Sequence, residues 1–379
     1  MINIKKKIGY ISLFIIACII FIFQNIPLRT ALFRSIAKGS IYMISERDTL
    51  YVFGYSGVQK WLTTDPDKMV LLTENDEFCH NTFIGHLVAR SGVVNGDYLY
   101  VACRSYLGGT DTCDDKDYVN GKLLILRKSD LGIVREYKSD IKLIETKIKD
   151  DLLVVSGLYG FNIYRIKNPD CLSLLFDYRQ KEFTEFQGLE IFEKQDSLYI
   201  AFAKFTEGIS IWNITCADKP YEAYKIPLQI DKSKKNNQYA VLQCFRVKYK
   251  EPYLYATVAP ILESFLTPND FRGILTLNTD SLPNLLTTFS RIPTSDYYKT
   301  RIGDPEPSHI DIYGDSIYTN FGEKGVAIFD ISNPGIPIYE GVKDIGNNGN
   351  MILPLHINNS GVVLTGDYYW SDIYNCKIK

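Results

Sequence analysis

Apolar and polar residues alternate along this chain in short runs separated by turn residues, most regularly in Gly314–Gly341, GDSIYTNFGEKGVAIFDISNPGIPIYEG. Alternation with period two places successive side chains on opposite faces of a strand. The pattern predicts strands at His309–Tyr313, Ser316–Asn320, Gly325–Ile331 and Ile338–Val342. Gly314-Asp315 and Ser332–Pro337 supply turns between them, which makes a four-stranded antiparallel meander.

The same grammar recurs. Asp48-Thr49-Leu50-Tyr51-Val52 precedes Gly57, Asp97-Tyr98-Leu99-Tyr100-Val101 precedes Gly121, and Asp150-Asp151-Leu152-Leu153-Val154 precedes Gly160. Asp196-Ser197-Leu198-Tyr199-Ile200 leads to Gly208, Pro252-Tyr253-Leu254-Tyr255 to Gly273, and Ser360–Leu364 opens a shortened last copy. Lys167-Asn168-Pro169, Lys219-Pro220 and Asn333-Pro334 repeat a later turn. Multi-stranded units recurring at about 40–50 residues indicate a propeller, because one such sheet cannot bury both faces without neighbours. The predicted fold is all-β: a seven-bladed β-propeller of four-stranded antiparallel blades, preceded by an N-terminal hydrophobic helix. Residues 1–26 form the N-terminal segment and 27–379 the propeller. Pro27–Arg34 is expected to add the strand that the last copy lacks, closing the ring and covering its edges.

The run Ile317–Pro334, with Asp330-Ile331-Ser332-Asn333-Pro334, resembles the LVIVD repeat of exported bacterial and archaeal propellers. The likeness extends more loosely over residues 41–379. It implies a propeller at or near the cell envelope and carries over no catalytic residue.

Charge and length at the N-terminus supply an address. Lys5, Lys6 and Lys7 precede an uncharged apolar run from Ile8 to Phe23. Its length lies between that of a cleavable signal core and that of a membrane span. The lysines would stay on the cytoplasmic side and place the rest outside. Three readings stay open: a retained anchor, a lipoprotein modified at Cys18 in Ile15-Ile16-Ala17-Cys18, or cleavage near Ser35-Ile36-Ala37. Each exports the propeller to the periplasm or cell surface. The net charge of −2, with no basic cluster, argues against nucleic acid.

The remaining chemistry is sparse. Cys103 and Cys113 bracket one segment and are candidates for a disulfide, whereas Cys171, Cys216, Cys244 and Cys376 read as small buried hydrophobes. No CxxC or Cys/His spacing suggests zinc, and no GxSxG, HExxH, P-loop or dinucleotide fingerprint is present. The aspartates 111, 114, 115 and 117 depart from calcium-loop spacing and read as a solvated acidic loop. Among the histidines, His309 and His356 bound innermost strands and are candidates for the channel mouth, while His80 and His86 share one interblade connection. Three histidines around an axis suit a metal, but these share no repeat position, so ordinary polar roles are expected and no cofactor is predicted.

Long segments fall on one face, where second strands join third strands and where one blade joins the next. They are Arg104–Asn120, Gln229–Gln238, Ala259–Arg272 and Pro293–Ser308. Loops presented by a rigid scaffold commonly carry function. The candidate contacts are Arg104, Tyr106, Asp111, Asp115, Tyr118, Phe265, Phe271, Tyr297, Tyr298 and Arg301. Together these features predict a membrane-tethered, non-catalytic binding or scaffolding module of the envelope, with a protein or glycan ligand. The alternatives are a propeller hydrolase or lyase acting on a carbohydrate or lactone, and a purely structural envelope component.

Overall fold

A computed structural model describes residues 39–65, 68–77, 87–105, 121–228, 242–260, 272–282, 287–293, 307–322, 324–345, 352–367 and 373–377. They form consecutive antiparallel sheets, each a meander in chain order. Six sheets have four strands: residues 40–75, 87–139, 143–179, 188–226, 242–291 and 310–343. A last sheet, 352–377, has three.

This corrects the expected seven four-stranded blades. Six blades are four-stranded, and among the described residues the last sheet ends with Ile373–Lys377 at its edge. The N-terminal helix is likewise no part of the described architecture, and residues 1–38, including the expected strand Pro27–Arg34, lie outside the described residues. Thr279–Ser281 forms a 3-10 turn, and among the described residues no helix is long and apolar enough to cross a membrane.

The sheets are held by apolar clusters that each span two neighbours. Tyr51 and Phe53 of the first sheet pack with Leu99, Val101 and Leu124 of the second. Val154, Phe161 and Ile163 of the third pack with Ile200, Phe202 and Trp212 of the fourth. The ring closes in the same way, with Met43, Leu50 and Val52 against Val362 and Leu364 of the last sheet. Alternating residues of a middle strand therefore face different neighbours, and this produces the period-two signal.

Two repeated sequence features acquire physical causes. In five sheets the glycine at or just before the third strand (Gly57, Gly160, Gly208, Gly273 and Gly325) lies against the backbone of the fourth. A Cβ at Gly325 or Gly57 would fall on the carbonyl oxygen of Lys343 or Asn75, and both glycines have positive φ. The tyrosine of the second strand reaches the turn of the next sheet. Tyr100 Oη donates to the Pro169 carbonyl at 2.8 Å, and Tyr255 Oη to the Pro334 carbonyl at 2.9 Å. The Leu-Tyr pair and the Asn-Pro turn are two halves of one joint between sheets.

Candidate functional site: a charged axis

The innermost strands are Ser40–Glu46, Leu87–Asn95, Leu143–Lys149, Gly188–Lys194, Leu242–Lys250, Ile310–Tyr313 and Ile352–Ile357. Their side chains meet across the ring. Tyr42 of the first sheet donates to Glu145 Oε1 of the third at 3.4 Å, and Arg246 Nη1 of the fifth lies 3.3 Å from Glu145 Oε2. Both contacts skip an intervening sheet, so they span the axis.

The axial groups form two storeys. Inner strands begin at the end where the long connections enter, and Tyr42, Arg90, Glu145, Arg246 and His309 occupy the storey nearer that end. Glu145 is almost fully buried, and its Oε2 also accepts the Leu189 N–H at 3.0 Å. His309, just ahead of its strand, is buried, and its ring centroid lies 6.4 Å from that of Tyr42. Burial, with Arg246 and Arg90 nearby, holds His309 well below its ordinary pKa and keeps it neutral. Burial raises the Tyr42 phenol, so that it remains a hydrogen-bond donor.

The second storey holds Ser45, Lys147, Glu190, Lys248, Asp311 and His356. Lys147 pairs with Glu190 at 3.5 Å and Lys248 with Asp311 at 3.2 Å. Burial opposes the charge of Lys147, but Glu190, Tyr42, Glu145 and Asp311 together raise it well above its ordinary value. Asp311 Oδ2 accepts the Ile357 N–H at 2.9 Å and lies 3.3 Å from His356 Nδ1. His356 Nε2 accepts the Ser45 N–H at 3.1 Å and lies 2.7 Å from Ser45 Oγ. A ring nitrogen that accepts a backbone N–H carries no proton, so the His356 proton sits on Nδ1 and points to Asp311. His356 thereby clasps the first sheet to the last.

Asp311 makes the axis acid-sensitive. Burial alone would raise its pKa, but Lys248, His356 and the Ile357 N–H outweigh this and hold it well below the carboxylate range. A depressed folded pKa contributes stability that is complete above the unfolded value, about 4, and is lost as pH falls below it. Asp311→Asn is therefore expected to lower the melting temperature most at pH 6–7. The gap to the unsubstituted protein should narrow steadily toward pH 2, and melting curves across that range measure it.

The residues expected from sequence divide sharply. His309 and His356 fall in different storeys, and neither belongs to a metal-binding group of three among the described residues. Arg104 is the last residue but one of the second strand of its sheet, Tyr98–Ser105, beside buried Cys103. Tyr106, Asp111, Cys113, Asp115, Tyr118, Phe265, Phe271, Tyr297, Tyr298, Arg301 and Cys18 lie outside the described residues, as do His80 and His86. Cys244 is buried, but Cys216 is exposed in a turn and donates to Asp218 Oδ1 at 3.0 Å, contrary to the buried role expected.

The axial residues Tyr42, Glu145, Arg246 and Asp311 were not singled out by motif. A signal was present: Glu145 and Lys147, Arg246 and Lys248, and His309 and Asp311 are polar pairs two residues apart at otherwise apolar strand positions.

Comparison with known proteins agrees with the architecture. Residues 307–343 match the LVIVD repeat. This is the sixth sheet, where the sequence likeness was clearest. No curated protein matches the chain. Among solved structures, the WD40 β-propeller domain of Doa1 is 11% identical, with 89% of this chain and 92% of that one covered at a TM-score of 0.54. BamB from Moraxella catarrhalis is 10% identical, with 89% and 94% covered at 0.53. The computationally designed Ika8 protein is 8% identical, with 90% and 97% covered at 0.53. At such identities the likeness concerns the fold, and the fold is a β-propeller.

Proposed function

We propose that the protein is a membrane-tethered, extracytoplasmic propeller that binds a protein or glycan through the end of the ring carrying its long connections. The observation that carries this reading is topological. Residues 106–120 and 261–271 join second to third strands, and 229–241 and 294–306 join sheet to sheet. In a meander ring all four leave at one end, whereas first-to-second turns such as Gly314-Asp315 leave at the other. The basic, apolar segment Met1–Phe23 supports the tether.

The test uses the full chain, with 106–120 and 261–271 each replaced by a short Gly-Asn turn in a second version. Both versions should fractionate with membranes, be digested by protease added from outside, and melt cooperatively. Crosslinking in intact cells should join only the unmodified chain to a discrete envelope protein or glycan. Identical crosslinks from the shortened version would overturn the reading.

A hydrolase is the second reading, and one observation favours it: Ser45, His356 and Asp311 follow one another in the order of a nucleophile, base and orienting acid. Against it, the His356 Nε2 lone pair is shared with the Ser45 N–H, and Asp311 is engaged by Lys248. Labelling of Ser45 by a fluorophosphonate, lost in Ser45→Ala, would establish the hydrolase.

A further inference from the structure

The seam where the last sheet meets the first lacks two devices found elsewhere in the ring. Its apolar cluster buries Met43, Leu50, Val52, Val362 and Leu364, and among these there is no aromatic side chain. Tyr51 and Phe53 are buried between the first and second sheets, and Phe161, Phe186 and Phe202 between the third and fourth. Val362–Asp367, the second strand of the last sheet, also has no tyrosine to reach the turn of the next sheet. In their place stands His356. Its Nε2 accepts the Ser45 N–H at 3.1 Å and lies 2.7 Å from Ser45 Oγ, while Nδ1 lies 3.3 Å from Asp311 Oδ2. The side chain is 20% exposed, so protons from solvent reach it.

The two nitrogens of this imidazole respond differently to acid. Nδ1 already carries a proton toward Asp311, so a second proton must go to Nε2. That proton and the Ser45 N–H exclude one another, because two donors would then face each other. Ser45 Oγ does not discriminate, since a hydroxyl donates to the neutral imidazole and accepts from the charged one. The Asp311 contact is kept in both forms, and charge strengthens it.

We propose that His356 is an acid-released clasp: a proton on Nε2 parts the first sheet from the last and leaves the last sheet held to the sixth. Asp311 faces the imidazole from the sixth sheet, backed by Lys248 of the fifth, while Lys147 and Glu190 pair with each other across the axis. These groups stay on the far side of the seam from Ser45 and act on His356 whether it is open or closed. The charged residue of the first sheet's inner strand is Glu46, and Lys128 of the second sheet engages it. Ser316–Asn320 brings no charge, nor does Leu364, which lies opposite His356. The closed and open seams therefore differ at the Ser45 N–H, which only the neutral imidazole accepts. Opening takes up one proton, so it grows as pH falls through the range in which imidazoles titrate. The clasp is independent of what the long connections bind.

Met43 is the reporter, because it is 3% exposed and packs against Val362 and Leu364 across the seam. The full-length chain in neutral detergent is treated with dilute hydrogen peroxide at pH 8 and pH 5, with free methionine in the same tube as reference. Mass spectrometry follows the initial rate of sulfoxide formation at Met43. That rate, relative to free methionine, should rise about tenfold or more at pH 5, since uptake of one proton allows up to about tenfold per pH unit. Hydrogen exchange of residues 143–226 should show the third and fourth sheets equally protected at both pH values. His356→Gln gives the Ser45 N–H an acceptor that takes no proton and should abolish the rise. Ser45→Ala removes the hydroxyl but not the N–H and should keep it. The proposal is overturned if Met43 in the unsubstituted chain reacts alike at both pH values. It is also overturned if the third and fourth sheets lose protection in step with Met43, as general acid unfolding requires. A rise that persists in His356→Gln, or vanishes in Ser45→Ala, overturns it as well.

Discussion

Replacing Glu145 with alanine is expected to lower the free energy of unfolding by about 3–5 kcal/mol, the range for removing one partner of a buried ion pair. Glu145 gathers groups from four sheets: its own, Tyr42, the Leu189 N–H and Arg246. Alanine leaves the Arg246 guanidinium buried with no carboxylate beside it and the Leu189 N–H without its acceptor. Lost packing is the lesser part, so an apolar residue of similar size at 145 alone should not restore stability. Substituting Glu145→Leu and Arg246→Met together should recover most of it, because no uncompensated charge then remains. Urea unfolding of both variants, with the slope checked for constancy, separates these outcomes. Equal losses in the single and paired variants would show that the charge is not the cause.

Phe161→Ala should cost a similar amount, about 3–5 kcal/mol, through a different mechanism. Phe161 is fully buried between the third and fourth sheets, in ring contact with Phe202 at 4.6 Å, Trp212 at 5.1 Å and Tyr178 at 5.4 Å. These partners come from both sheets and from separate strands, so the space left by the ring cannot close by one side-chain movement. Phe161→Leu should cost clearly less, because much of the volume remains. Denaturant midpoints measure both, and Trp212 should become more accessible to acrylamide in the alanine variant. A loss below 1 kcal/mol would mean that the two sheets slide together to fill the gap.

Most of the sheet structure was legible because each strand is governed by its nearest residues. Ser316–Asn320 was read at its observed limits, and the other strands of that sheet differ by one residue at most at either end. Alternation, the turn glycines and the Asn-Pro turn are local and mutually consistent. Counting copies was less secure. The last copy carries the first three strands of the pattern without the turn glycine or the Leu-Tyr pair, so alternation alone marks it, and alternation does not reveal whether a fourth strand follows.

The axis was not legible because its partners are remote in the chain. Asp311 and Ile357 are 46 residues apart, and Ser45 and His356 are 311 apart. A single Glu or Arg within an apolar strand is indistinguishable from a solvent-facing position until the ring closes. His309 and His356 were picked out by residue type, yet their surroundings differ: one is neutral beside two arginines, and the other is a clasp between sheets.

The bonds from Tyr100 to Pro169 and from Tyr255 to Pro334 bear on how such a ring changes over generations. A sheet copied alone brings its tyrosine without an acceptor and its turn without a donor. Insertion therefore succeeds where the incoming copy offers both halves to unaltered neighbours. The heritable module is the seam, running from one middle strand to the following outer turn, and recombination points should fall inside sheets rather than between them.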